Sequence, residues 1–387
     1  MRILFSFAWA LDAIGGAEVS VRALAEALVR RGHDVGIVET AGTPSAHPRP
    51  HAFGGPVWTV PAADLGLHAR AGPAVLGSLR LFQDIVSRFD PDVVSVQCPA
   101  WQSVPIVIAC GLPRRWRLEV TARGSDIRDD LLLQPMLRPW LRRLCERADA
   151  ATAVSDLLWR DFVREFPVVR DKGGVIYDGV GPAWFEGLAT ARDREGAPYV
   201  LYAGRLHREK GVDLLLQAWA LLPSHTPEPA LWLAGEGDAE PDLRGLAERL
   251  GISRRLRFLG PVSRVELMSL YRRAQLVVIP SPNEGLPRVS LEAGACGAIC
   301  VAMRVGGLSE VIEHGVTGFL TEPGSPRALA DGLAHALRLP PAERQRMRAA
   351  AAARIRRHFD HDRTVAGYEV LFRSLLDRPA MSGHPVT

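Results

Sequence analysis

The feature that most constrains this chain is a rhythm of short apolar strand, Gly-containing turn and amphipathic helix that recurs along its length. Residues 2–8 form an apolar run, Gly15 and Gly16 make a turn, and Ala17–Arg31 carries apolar residues at helical spacing until Gly32. Strands that alternate with helices imply parallel sheets, helices on both faces and right-handed crossovers. The rhythm therefore predicts an α/β fold.

The rhythm runs twice, before and after a polar, Gly-rich linker at 178–197. At 387 residues the chain has room for two domains of about 150–200 residues each. We expect two Rossmann-like domains with parallel sheets facing a central cleft, residues 1–178 and 198–361, with a last helix at 362–377 crossing back to the first. Such sheets bind ligands at the carboxyl ends of their strands, so the cleft is the expected site.

Residues 40–62, which are rich in Pro, Gly and His, are predicted to form a surface loop. The other predicted strands are 35–38, 92–97, 118–122, 150–154, 199–203, 230–234, 255–259, 276–280 and 299–302, and the other predicted helices are 212–221, 240–250, 264–273 and 287–295.

Composition excludes several classes of protein. Hydrophobic residues make up 47% and charged residues 23%, as in a soluble globular protein, and the net charge of +4 lacks the basic excess of a nucleic-acid binder. No segment reaches about 18 uninterrupted apolar residues, and the N-terminal run is too short for a signal peptide. The five cysteines are odd in number and widely spread, which favours buried free thiols in a reducing compartment. We therefore expect a cytoplasmic protein.

One segment places two cations at the end of a strand. A strand ends at Gly204, Arg205 follows, and a loop brings Lys210 just before Gly211 and a helix. Two cations beside a helix N-terminus suit a diphosphate. Only two of the 47 Lys and Arg residues are lysines, and Lys210 is one of them. An ordinary basic loop is the alternative, and the segment alone leaves both open.

A second segment supplies two carboxylates. Glu284 lies in a loop after a buried strand. Glu292 lies eight residues on, within a short helix, and it points to the same side as the start of that helix. Each carboxylate can accept two hydrogen bonds from vicinal hydroxyls, as on a sugar nucleotide. A structural role for Glu292 is the alternative, but an unpaired buried carboxylate is costly, which favours function.

Two Gly-Gly turns precede helices. Gly306-Gly307 and Gly15-Gly16 could each present backbone amides to a phosphate. Such turns are common, so each is weak evidence alone.

Together these segments resemble the family 4 retaining glycosyltransferases of GT-B fold. The resemblance covers most of the chain and is strong over 198–325 but fainter before 190. Its motifs are Gly15-Gly16-Ala17-Glu18, Val154-Ser155, Gly204-Arg205, Glu209-Lys210-Gly211, Gly235-Glu236-Gly237, Phe258-Leu259-Gly260, Pro280-Ser281, Glu284-Gly285, Glu292-Ala293, Gly306-Gly307 and Gly315-Val316-Thr317-Gly318.

The resemblance implies a hexosyl transfer from a UDP- or GDP-sugar to a saccharide or lipid-linked acceptor, with retention of configuration, in glycan or cell-surface polysaccharide biosynthesis. The leaving phosphate would help deprotonate the acceptor. Arg205 and Lys210 would grip the donor diphosphate, Glu284 would lie beside the donor sugar and Glu292 on the ribose. Gly16 matches the loop that closes over the donor.

The full set implied by the resemblance falls into three groups. The catalytic residues would be Arg205, Lys210, Glu284 and Arg123; the donor-binding residues Gly16, Gly204, Arg205, Lys210, Gly235, Leu259, Glu284, Gly285, Leu286, Pro287, Glu292, Gly306 and Gly307; and the acceptor-binding residues Gly15, Gly16, Glu18, Arg123 and Asp126.

The sequence departs from the family pattern in two places. Many members carry a His after the strand at 118–122, where this chain has Arg123, and the usual Asn-Gly-Val of the linker is Asp178-Gly179-Val180. An arginine, with a pKa above about 12, does not act as a base. It could still contact a sugar hydroxyl, an anionic group on the acceptor or the donor phosphate.

No metal or other cofactor is expected, because the cation pair would take the place of a divalent ion. Two Asp-x-Asp triplets, Asp90-Pro91-Asp92 and Asp360-His361-Asp362, suit turns and caps better than metal binding. Arginine–tryptophan stretches at 114–117 and 137–144 could touch an anionic membrane surface, although a solvated helix face with arginine stems is the favoured alternative.

Two other functions stay open: a GT-B-fold nucleotide-sugar epimerase or phosphorylase-like enzyme, and a catalytically silent nucleotide-sugar binder, which Arg123 makes conceivable.

Overall fold

A computed structural model of the chain describes residues 1–13, 15–40, 45–61, 71–112, 114–124, 126–127, 134–186, 198–222 and 229–378. It divides into two compact units. The first unit comprises Met1–Tyr177 and the chain from Thr364 onward, and the second comprises Asp178–Arg363. Part of the predicted linker, 187–197, lies outside the described residues.

The first unit is built on an eight-stranded sheet of order β3-β4-β2-β1-β5-β6-β7-β8, in which only β3 is antiparallel to its neighbour. The strands are β1 (Arg2–Phe7), β2 (Asp34–Thr40), β3 (Ser45–Pro50), β4 (Pro56–Val60), β5 (Val93–Gln97), β6 (Arg117–Ala122), β7 (Ala150–Ala153) and β8 (Gly173–Val175). The helices are α1 (Gly16–Arg30), α2 (Ala71–Phe89), α3 (Ser103–Ala109), α4 (Arg138–Arg147) and α5 (Asp156–Glu165).

The loop predicted at 40–62 is wrong for most of its described length, because β3 and β4 lie there; residues 41–44 and 62 are outside the described residues. Val57, Trp58 and Val60 are buried and hold β4 against β2. Pro48 and Pro50 lie on β3, at the edge of the sheet, where the missing N–H of proline costs no ladder bond.

The second unit is built on a six-stranded parallel sheet of order β11-β10-β9-β12-β13-β14. Its strands are β9 (Tyr199–Ala203), β10 (Ala230–Ala234), β11 (Leu256–Gly260), β12 (Leu276–Ile279), β13 (Cys300–Met303) and β14 (Gly318–Thr321). Its helices are α6 (Val212–Ala220), α7 (Glu240–Arg249), α8 (Arg264–Arg273), α9 (Arg288–Ala295), α10 (Leu308–Val311), α11 (Pro326–Leu337) and α12 (Pro341–His358).

Both sheets grow first in one direction and then in the other. In the second unit the strand order reverses between β9 and β12, and in the first between β1 and β5. Ligands of open α/β sheets bind beyond the carboxyl ends of the strands at such a reversal. The α/β class and the parallel sheets predicted from the sequence are confirmed.

A last helix, α13 (His361–Leu376), completes the first unit. Its residues Val365, Tyr368 and Phe372 are buried in the same apolar cluster as β1 and α1. The other lysine of the sequence, Lys172, has a structural role. Its ammonium group donates at 2.8–2.9 Å to three carbonyls at the C-terminal end of α4, those of Cys145, Glu146 and Ala148.

The minor predictions have mixed outcomes. The Asp360 carboxylate accepts from the amide of Asp362 at 2.7 Å, the local contact that was predicted for the Asp-x-Asp triplets. The Asp92 carboxylate instead accepts from the amide of Arg2 at 2.7 Å, so it ties the start of β1 to the chain just before β5. All five cysteines are buried and unbridged.

In the first arginine–tryptophan stretch Trp116 is buried, Arg114 and Arg117 pair with Asp149, and Arg115 is exposed. Membrane contact by either stretch stays a prediction. Among the described helices, none is both long and apolar enough to cross a membrane.

Candidate functional site

Loops that follow β9 and β12 meet at the reversal of the second sheet. After β9 the chain runs through Gly204 and Arg205 to a 3₁₀ turn at Arg208–Lys210 and then to Gly211. Gly211 has a φ of 64°, and a Cβ there would lie 2.3 Å from the carbonyl oxygen of Pro280, at the end of β12. Only glycine permits this approach, so the two loops are in direct backbone contact.

The two predicted cations both have carboxylate partners. Lys210 Nζ donates to Glu284 Oε1 at 2.9 Å, and both side chains are largely buried, with exposed fractions of 24% and 13%. Arg205 pairs with Glu209 at 3.0 Å and is about half exposed. The structure therefore brings Lys210 and Glu284 together, although they are 74 residues apart in the chain.

A third loop, after β13, packs against the backbone of Glu284. Gly306 has a φ of 50°, and a Cβ there would lie 1.7 Å from the Glu284 carbonyl oxygen. The amide of Gly307 donates to the carbonyl of Gly285 at 2.7 Å. The predicted Gly-Gly loop thus holds the backbone of the glutamate loop in place.

A fourth loop, after β10, packs on the first. A Cβ on Gly235 would lie 2.0 Å from the carbonyl oxygen of Gly204, so the two loops touch through their backbones. Leu259 lies on the neighbouring edge strand β11. Leu286 and Pro287 are buried where the glutamate loop enters α9.

Glu292 lies on α9 and is buried, but it is not unpaired. Its carboxylate accepts from Arg288 Nε at 3.1 Å, one helical turn earlier. Burial raises the pKa of Glu292, and the guanidinium groups of Arg288 and Arg264 oppose that rise. The sequence argument from an unpaired buried carboxylate is therefore wrong. The i,i+4 spacing of Arg288 and Glu292 was the signal that could have predicted the pair.

In the first unit, Gly15 and Gly16 begin α1 as predicted, with Gly15 as its N-cap. The carboxylate of Glu18 folds back over this turn, since its Oε2 lies 2.1 Å from where a Cβ of Gly15 would be. A carboxylate at this position is favoured by the helix dipole. Gly15, Gly16 and Glu18 are thus brought together at the N-terminus of α1.

Arg123 and Asp126 follow β6 and are both buried. The backbone amide of Arg123 donates to the Asp126 carboxylate at 3.0–3.1 Å, and that of Gly124 donates to it at 2.6 Å. Asp126 therefore shapes the turn. The guanidinium of Arg123 is anchored as well, because its Nε donates to Gln97 Oε1 at 2.9 Å.

Sequence reasoning missed the polar residues behind Arg123. They are Ser95 and Gln97 on β5, Glu119 and Thr121 on β6, and Thr152 on β7. Burial raises the pKa of Glu119 above its ordinary value, although hydrogen bonds from its three hydroxyl neighbours and the charge of Arg123 oppose the rise. Their alternation at i and i+2 was the available signal, since such residues share one face of a strand.

Two family models match the chain, one in each half. A model of glycosyltransferase family 4 matches residues 14–184, and a model of the glycosyl transferases group 1 matches residues 189–354. The chain belongs to the family 4 glycosyltransferases.

Relatives of this chain include the D-inositol 3-phosphate glycosyltransferases of Mycobacterium bovis and Mycobacterium tuberculosis. Each is 40% identical over 167 residues, which is 43% of this chain. The matched segment spans about a third of the length of these relatives, 35%.

Solved structures share the fold over nearly the whole chain. Sucrose-phosphate synthase from Thermosynechococcus elongatus has a TM-score of 0.80 at 22% identity, covering 97% of this chain and 99% of that one. Anabaena HepE in complex with UDP and glucose has a TM-score of 0.77 at 22% identity, covering 97% and 100%. With these neighbours, the two parallel-sheet units identify the GT-B fold.

The described residues contain no group of three or more His, Cys, Asp or Glu side chains that could hold a metal ion. Metal independence stays a prediction.

Proposed function

We propose that this protein is a retaining glycosyltransferase that moves a hexosyl unit from a UDP- or GDP-sugar to a saccharide or lipid-linked acceptor, in glycan or cell-surface polysaccharide biosynthesis. The observation that carries the proposal is the Lys210–Glu284 pair at the reversal of the second sheet, with Gly306 packed against it. A cation and a carboxylate held together there offer one group for a diphosphate and one for a sugar hydroxyl.

The ion pair has a mechanistic consequence. When a diphosphate arrives, its oxygens would compete with Glu284 for Lys210 and with Glu209 for Arg205. The two cations would then stabilise the negative charge that grows on the leaving diphosphate as the glycosidic bond breaks. Glu284, released from Lys210, would accept a hydrogen bond from a sugar hydroxyl. Each role uses a group that is already in place before the donor binds.

The names of similar proteins support this class of reaction. HepE is described with UDP and glucose, which fits a nucleoside-diphosphate sugar donor. The mycobacterial relatives are named for a phosphorylated cyclitol acceptor. For this chain we extend only the general features: a hexosyl donor and a hydroxyl acceptor. Deprotonation of the acceptor by the departing phosphate agrees with an arginine at position 123, because the reaction then needs no histidine base.

No metal takes part in this proposal, since Arg205 and Lys210 supply the positive charge. Turnover is expected to survive an excess of chelator. Activity that chelator abolishes and magnesium or manganese restores would contradict this part of the proposal.

Incubation with UDP- and GDP-sugars separates the proposed function from its rivals. A transferase releases nucleoside diphosphate faster when an acceptor is present and forms a glycoside of retained configuration. An epimerase changes the sugar without release, and a silent binder does neither. Thermal stabilisation by UDP, GDP or ADP identifies the base beforehand, because a ligand that binds only the native state raises its stability.

A further inference from the structure

A continuous chain of buried polar groups crosses the first sheet and ends at Arg123. It begins at Glu119, which is fully buried in the middle of β6. Its carboxylate accepts from Ser95 Oγ at 2.6 Å, from Thr121 Oγ1 at 2.7 Å and from Thr152 Oγ1 at 2.9 Å. The Tyr368 hydroxyl of α13 adds a contact to Thr121 at 3.2 Å. Three adjacent strands and a helix thus hold this one carboxylate.

Gln97 connects the hydroxyl partners of Glu119 to Arg123. An arginine Nε can only donate, so the Gln97 group that it meets at 2.9 Å must be the amide oxygen. The amide nitrogen then points the other way, donating to Ser95 Oγ at 2.7 Å and to Thr121 Oγ1 at 3.0 Å. The same two hydroxyls donate to Glu119, so the orientation of each group fixes the next.

Backbone pairing between β5 and β6 fixes the position of Gln97 relative to Thr121. Gln97 pairs with Thr121 across β5 and β6, and the next residue, Cys98, has a left-handed φ of 55°. The amide of Cys98 donates to the Thr121 carbonyl at 3.2 Å. A non-glycine residue in this conformation is strained, and such strain is found where a precise geometry is required.

Buried charge is an expensive way to stabilise a sheet, because apolar residues of similar size often do so as well or better. Glu119 and Arg123 are therefore poorly explained by stability alone. We infer that Glu119 and Gln97 are positioning residues, which hold the Arg123 guanidinium in one orientation at the carboxyl end of β6. This inference rests on the proposed function and adds to it that the Arg123 guanidinium contacts a substrate.

Three variants test the inference. Gln97→Met removes the amide at nearly constant length, and Glu119→Gln replaces the carboxyl group by an amide of the same shape. Thr364→Val is the matched control, since it deletes one hydrogen bond of the same unit, from Thr364 Oγ1 to the carbonyl of Tyr177 at 2.8 Å, and Thr364 is not part of this network. The first two should lower kcat about tenfold, as for one lost hydrogen bond to a charged group, with unchanged affinity for nucleoside diphosphate. The control should affect only the unfolding midpoint.

The test of positioning is non-additivity. In an Arg123→Ala background, Gln97→Met and Glu119→Gln should cause no further loss of kcat, because they act through the missing guanidinium. Losses that multiply in the double variants, or a loss for Gln97→Met no greater than that for Thr364→Val, would overturn the inference and leave the proposed function intact.

A measurement that does not depend on turnover separates the positioning inference from the proposed function. The ¹⁵N resonance of Arg123 Nε, assigned by its disappearance in Arg123→Lys, should shift and its proton exchange faster in Gln97→Met and in Glu119→Gln. An unchanged signal in both variants would overturn the inference whatever the activity. A changed signal in a protein that uses no nucleotide sugar would overturn the proposed function alone.

Discussion

The two units are built on parallel sheets, but they keep their polar residues in different places. In the second unit β9, β10 and β12 consist of apolar and aromatic residues, and Lys210 and Glu284 lie in the loops beyond the strands. In the first unit a buried carboxylate and its partners lie within the strands. The comparison teaches that loop residues of the second unit can be replaced with little cost to its core, whereas in the first unit fold and site share the same residues.

The largest expected effect on turnover comes from Gly306, a loop residue of the second unit that cannot be replaced freely because its backbone contacts that of Glu284. Gly306→Ala would place a Cβ 1.7 Å from the Glu284 carbonyl oxygen, in addition to the strain of a φ of 50°. We expect turnover to fall about a hundredfold, as for a displacement of about 1 Å in a site.

Gly324→Ala is the matched control for this glycine. It carries similar strain, with a φ of 70°, but has no atom within 4 Å of the new Cβ. It should lose about 1–2 kcal/mol of stability and keep its turnover. Equal turnover in the two variants would show that the glutamate loop tolerates movement.

Removing a cation from the second unit should weaken binding without unfolding the protein. Arg205→Ala or Lys210→Ala removes a charge-assisted contact to the diphosphate, and affinity for it should fall by about 10- to 100-fold. Binding of the phosphate-free nucleoside should change little. Arg208→Ala is the control, since this neighbour is 89% exposed and pairs with Asp242. Calorimetry that finds equal losses for nucleoside and diphosphate would contradict the clamp.

This contrast also explains how much the sequence predicts. Each strand predicted outside 40–62 is present, with bounds that differ by at most two residues, because period and turn glycines are local signals. The strands β3 and β4 were missed since their prolines are typical of loops, and tertiary packing overrode that preference. In the second unit, charged residues such as Lys210 and Glu284 are easy to pick out in the sequence, because they lie in loops between apolar strands.

Pairing between distant residues was harder to predict. Nothing local to Glu284 indicates Lys210, and nothing local to Glu119 indicates Ser95, which is 24 residues away. The strands of the first unit are rich in β-branched residues, and within them a Thr or Ser passes for an ordinary strand former. Sheet order alone brings these side chains into contact.

In the first unit, Arg123→Ala is the direct test of a buried residue at a proposed site. Turnover should fall by about tenfold, the loss of one charged hydrogen bond, while affinity for nucleoside diphosphate stays nearly unchanged, because Arg205 and Lys210 lie in the other unit. Steady-state kinetics with a separate binding measurement decide this. A wild-type rate would remove Arg123 from the site and leave it a purely structural residue.

The smallest expected effect comes from a partly buried ion pair at the edge of the first unit, and it shows whether the fully buried polar groups of this unit matter more than its partly buried ones. Glu369 on α13 pairs with Arg31 at 2.6 Å and with His33 at 2.7 Å. Burial would raise the pKa of Glu369, but the hydrogen bonds from His33 and Arg31 outweigh it, and the pKa lies below its ordinary value of 4.5.

A carboxyl group whose pKa is lowered by folding stabilises the native state above its unfolded pKa, and this contribution is lost as pH falls through the folded pKa. Glu369→Gln should therefore cost no more than about 1 kcal/mol at pH 7, and the difference from wild type should shrink below pH 4.5. Urea unfolding of both proteins at several pH values measures it. A difference in unfolding free energy that stays constant with pH would mean that Glu369 acts by packing. A loss larger than that of Glu119→Gln would show that the partly buried ion pair matters more to this unit than its fully buried carboxyl group.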